Sequence, residues 1–100
     1  MREEQVLLYL KSECSGRKNI RKSHEIESAL KISGNELRKN INRLRRKGIP
    51  IASRQDGYFF AVTASEIYLT IRQLQTMAQG LLSAIKGLEG SLDSFGGDDP

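Results

Sequence analysis

The chain has 100 residues, 38% of them apolar, with no tryptophan and one cysteine, which suits one small domain plus an appendage. No stretch approaches the ~20 apolar residues of a membrane helix, acidic residues stand where a secretory leader needs a basic flank, and the lone Cys14 has no disulfide partner, so the expected setting is the cytoplasm. The net charge of +4 divides unevenly: residues 1–62 hold 14 Lys/Arg against 7 Asp/Glu (+7), and residues 63–100 hold 2 against 5 (−3), so only the first part is balanced to meet a polyanion.

Val6, Leu7, Leu10 and Cys14 recur at helical spacing, predicting an amphipathic helix from about Arg2 to Cys14. Ser15 to Asn19 is a polar break, and Ile20 suits a short extended piece. Ser23 is placed to cap a second helix whose Ile26, Ala29 and Leu30 share one face. About three residues later Ser33 and Glu36 form the S-x-x-E of a capping box. The third helix then runs to about Lys47 on a stripe of Leu37, Ile41 and Leu44, with Gly48 as its stop. Two helices so closely joined read as a helix-turn-helix.

IPIASR and YFFAV follow as short strands around Asp56-Gly57, a two-residue hairpin signal. That turn sets Gln55 opposite Tyr58, Ser53 opposite Phe60 and Ile51 opposite Val62, with Ile51, Phe60 and Val62 facing the core. Thr63 and Glu66 make a second capping box. The long helix behind it carries Ile67, Ile71, Leu74, Ala78, Leu81, Ile85, Leu88 and Leu92 at alternating steps of four and three, a coiled-coil seam. Ile71, Ala78, Ile85 and Leu92 fall at a, and Ile67, Leu74, Leu81 and Leu88 at d, a choice that favours parallel dimers. Tyr68, Met77, Leu82 and Ala84 at e and g widen the face, toward a bundle of more than two helices or toward packing of the helix on its own head. The expected fold is mainly α with a small β-hairpin: a winged helix-turn-helix head (1–62), an oligomerisation helix (63–92) and a disordered acidic tail (93–100).

The third helix carries the functional signal. With Leu37 at zero and ~100° per residue, the side opposite the stripe holds Asn35, Lys39, Asn42, Arg43 and Arg46, flanked by Arg38, Arg45 and Lys47. Guanidinium and amide groups match guanine and adenine edges in a major groove, and lysine matches phosphate. A solvated basic helix face is common, so the following hairpin matters: it is the wing of a winged head, with Arg54 and Gln55 near its tip and within reach of DNA backbone. Lys18, Arg21 and Lys22 are as readily an ordinary basic loop. His24 has no ligand cluster around it, no nucleophile–base pair or phosphate loop is present, and neither an enzyme nor a cofactor is expected.

Residues 23–60 resemble the DNA-binding domain of the biotin ligase/biotin operon repressor type, through Ser33, Leu37, Ile41, Leu44 and Gly48 across the third helix and Gly57-Tyr58 at the wing. Small phage or prophage proteins with winged heads are similar more loosely. The resemblance implies the fold and duplex DNA as partner. It does not imply biotin sensing, because no Gly-rich biotinyl-adenylate loop follows the wing. The expected function is a sequence-preferring double-stranded DNA-binding oligomer, a transcriptional regulator or phage replication or packaging accessory. The competing expectation is a protein-docking module that uses the same head and helix.

Overall fold

The computed structural model describes residues 2–95. Its elements are α1 (Arg2–Glu13), β1 (Arg21–Lys22), α2 (Ser23–Leu30), α3 (Gly34–Arg46), β2 (Ile51–Arg54), β3 (Gly57–Phe60) and α4 (Ala64–Ser91), with short 3-10 turns at Arg17–Asn19 and Leu92–Phe95. Three helices and a three-stranded antiparallel sheet of order β1-β3-β2 make the winged helix-turn-helix head. The chain divides into a compact unit ending at Thr70 and a second starting at Ile71. Among the described residues no helix is long and apolar enough to cross a membrane.

The helices form where apolar periodicity and caps agree. Val6, Leu10 and Cys14 from α1 and the end of its turn pack with Leu37, Ile41 and Leu44 of α3, all buried. Ile26 of α2 is buried as well, while Ala29 is exposed. Ser33 caps α3 by accepting the Glu36 amide at 3.1 Å, whereas the Glu36 carboxylate turns to Arg2 at 3.4 Å instead of closing the box. Helix α2 begins at Ser23 rather than after it. The Glu25 carboxylate accepts the Lys22 amide at 3.2 Å, and the Ser23 hydroxyl donates to Glu27 at 2.7 Å. Gly48 leaves α3 at φ +88°, a left-handed conformation that glycine adopts freely.

The hairpin register differs from the sequence expectation. Ile51 pairs with Phe60, Ser53 with Tyr58 and Arg54 with Gly57, so the turn is Gln55-Asp56 and Gln55 takes the positive φ of 56°. Gly57 is needed for a different reason. A Cβ there would lie 2.8 Å from Ile20 Cγ1 and 2.9 Å from the Arg21 carbonyl oxygen, because the chain entering β1 lies against β3 where Lys22 pairs with Gly57. The shift also changes the core set: Phe59 and Ala61 are buried, Phe60 is half-buried under the Lys11 ammonium 5.6 Å from its ring, and Val62 is 64% exposed.

Helix α4 starts from a fuller cap than its box implies. Glu66 accepts three backbone amides, from Val62 at 2.7 Å, Thr63 at 3.1 Å and Arg17 at 3.1 Å, while its own amide donates to Thr63 Oγ1 at 3.4 Å. The Val62 amide foremost holds its carboxyl below the usual carboxylate range. Ile67 packs against the head core and Thr70 is buried, so the first turns of α4 belong to the head. Asp93–Phe95, expected within the disordered tail, form part of a 3-10 turn. Residues 96–100 of that expectation lie outside the described residues.

Two outcomes follow for stability. Gly57→Ala should destabilise the head by about 1–3 kcal/mol through overpacking against β1, read as a lower urea midpoint. Because Glu66 titrates lower when folded, its contribution is complete above the unfolded carboxyl pKa and is lost as pH falls through the folded value. Below about pH 4 the urea midpoint of the native chain should therefore fall faster than that of Glu66→Gln; parallel curves would remove the cap from the acid response.

Candidate nucleic-acid interface

The α3 side chains divide sharply by face. Leu37, Ile41 and Leu44 are buried, as is Asn40 at 2% exposure, while Asn35, Arg38, Lys39, Asn42, Arg43 and Arg46 are all exposed. Asn40 escaped the sequence reading although it lies only ~60° from Leu37 around the helix. Its amide donates to the Glu36 carbonyl at 2.8 Å, which satisfies a polar group held against the core.

The exposed residues form two rows. Asn35, Lys39 and Arg43 follow one another at steps of four and line a shallow cavity of ≈ 390 Å³ with Ser33, Glu36 and Arg2. Arg38 and Asn42 stand on the other row, with Arg46 one turn on. Arg38 donates to the Asn35 amide oxygen at 2.6 Å and Arg46 to the Asn42 carbonyl at 3.3 Å. These are exposed hydrogen bonds that water or a ligand can replace at little cost. Arg54 and Gln55 are exposed on the separate hairpin turn, at the wing tip. All eight residues expected at the interface are therefore accessible, six on one helix and two on the wing.

Two of the flanking cations serve the fold instead. Lys47 pairs with Glu3 of α1 at 2.9 Å. Arg45 Nε donates to the Ile51 carbonyl at 2.9 Å and its Nη2 to Ser53 Oγ at 3.1 Å, with the guanidinium 5.8 Å from the Tyr58 ring centre. Burial lowers its pKa, but an arginine remains charged at neutral pH. Ser53 is held from a second side, its amide donating to Thr70 Oγ1 at 3.1 Å. Arg45 is thus a strut between α3 and the wing. Sequence spacing placed it on the flank and carried no sign that β2 would return to meet it. In the loop before α2, Arg21 reaches Glu13 at 3.4 Å, while Lys18, Lys22 and His24 are exposed.

Comparison with family models, curated proteins and solved structures returns no match to this chain. The candidate interface accordingly rests on its own geometry and charge.

Arg45 and Arg43 should behave in opposite ways. Arg45→Ala should cost about 1.5–3 kcal/mol of stability, because charge-assisted bonds to β2 are lost, and Arg43→Ala should cost under about 0.5 kcal/mol as a surface change. Urea unfolding of both variants checks this; equal losses would mean that Arg45 is not a strut.

Proposed function

We propose that the protein binds double-stranded DNA, setting α3 in a major groove and the wing against the backbone. The observation that carries this reading is the separation on α3: four cations and two asparagine amides on the exposed side, and a fully buried aliphatic stripe on the other. Arg43 and Arg46 offer bidentate donors for guanine, Asn42 and Asn35 both donor and acceptor for adenine, and Lys39 a point charge for phosphate. Arg54 supplies a sequence-independent backbone contact from the wing. In this role the protein works in the cytoplasm as a transcriptional regulator or as a phage replication or packaging accessory. The resemblance of residues 23–60 to the biotin repressor-type head supports the same mode.

The reading includes self-association through α4. Ile67 is taken up by the head, but Ile71, Leu74, Ala78, Leu81, Ile85, Leu88 and Leu92 are all exposed and keep the heptad spacing. The same exposed stripe favours a second reading, a protein-docking module. The two differ in their response to salt.

Counterion release sets the test. Arg38, Lys39, Arg43, Arg46 and Arg54 meeting phosphate or groove would give a log–log slope of about −4 to −5 for duplex binding against salt. A flat response would favour the docking module. Asn42→Ala and Arg43→Ala should each reduce discrimination between sites by about 1–3 kcal/mol, whereas Arg54→Ala should weaken every sequence alike. Uniform losses in all three would leave α3 as a source of charge alone.

A further inference from the structure

The exposed stripe of α4 has an order of large and small side chains that distinguishes the two ways in which a second copy can lie against it. Resting on the self-association reading above, we propose that two copies pair antiparallel through residues 71–88, with Ala78 of each packed against Leu81 of the other.

The layers decide the direction. Parallel pairing stacks each residue on itself, giving an Ala78–Ala78 layer followed by a Leu81–Leu81 layer. The first is underfilled, and unfilled core volume is destabilising. Antiparallel pairing matches a with d: Ile71 with the partner's Leu88, Leu74 with the partner's Ile85, and Ala78 with the partner's Leu81, each repeated by symmetry. Every layer then holds one leucine beside an isoleucine or alanine, so the small residue meets a large one. The flanking g positions follow suit, Met77 lying beside the partner's Ala84. The match starts at Ile71, which is where α4 leaves the head, since Ile67 is packed on the head core.

The occupant is a second copy of this chain: its own heptad supplies the large-to-small match, and the a, d, e and g sites of 71–92 include only one charge, Glu89, so an apolar partner with the same heptad fits them. Side chains such as Leu81, Leu82, Ile85 and Leu88, exposed at 68%, 64%, 52% and 69%, provide apolar surface on the scale that stable interfaces bury. The two Thr70 residues would stand about 28 Å apart along the pair. Parallel pairing would bring them to about one helix diameter.

Cross-linking of mixed chains tests the direction. A Leu74→Cys chain and an Ile85→Cys chain of different mass are mixed, equilibrated and oxidised. Cys14 is buried, and burial pushes its thiol up to about 11, so the unsubstituted chain should stay unlinked as a control. Antiparallel pairing predicts a 74-to-85 linked hetero-species several-fold in excess of either homo-species. Homo-linked dimers alone, or a random mixture, would overturn the antiparallel arrangement while retaining self-association. No linkage, with the unsubstituted chain sedimenting as a monomer at tens of micromolar, would overturn both. A second variant reads the same question without cysteine: Ala78→Leu should raise the dimer dissociation constant about tenfold by overpacking against Leu81, and a fall would show the filled layer of a parallel pair.

Discussion

Burial of Leu37, Ile41 and Leu44 fixes the rotation of α3, and the character of the opposite face depends on that. Three fully buried aliphatic side chains contribute several kcal/mol, comparable with the net stability of a small domain. The helix cannot turn its stripe outward without giving up the head. With the rotation set, the ~100° step per residue leaves Asn35, Lys39 and Arg43 in one exposed row and Arg38 and Asn42 in the next. Arg45 extends the constraint to the sheet, because its bonds to Ile51 and Ser53 fix where β2 leaves α3. The backbone positions from which these exposed side chains project are thus set by the packing of the head.

Helices α3 and α4 were legible because two independent signals coincide at each. Apolar spacing gives the face, and a cap such as Ser33 or Thr63 gives the start. Where only one signal exists, the reading failed in part. Asp56-Gly57 has the composition of a tight turn, yet the glycine is placed by the approach of β1, a two-residue strand too short to show alternation in sequence. Moving the turn by one residue then exchanged Phe60 for Phe59 in the core, since side chains alternate along a strand. Arg45 illustrates the same limit for the site. Its surroundings come from residues six and eight positions later, and helical spacing describes only contacts within the helix.

Helix α4 changes role along its length. Its first turns are consumed by the head: Glu66 gathers amides from the chain before it and from Arg17, Ile67 joins the core, and Thr70 meets Ser53. Of these residues only Ile67 lies on the seam that continues from Ile71, so one unbroken pattern in the sequence is covered by the head at its start and exposed beyond it. Periodicity reports which side of a helix is apolar. It does not report what covers that side.

That distinction bears on how a head this small binds with useful strength. On the proposed reading the head has four α3 cations and one wing arginine to set against phosphate, and two of the nearby positive charges are already committed to Ser53 and Glu3. Adding charge to α3 would raise affinity for every sequence equally, because phosphate contacts carry no sequence information. Joining heads acts differently. Once one head is docked, the second meets its half-site at an effective concentration set by the link, and the gain appears only where two sites have the right spacing. On that reading, selectivity comes from the joining of heads as well as from the α3 side chains, without further charge on the head.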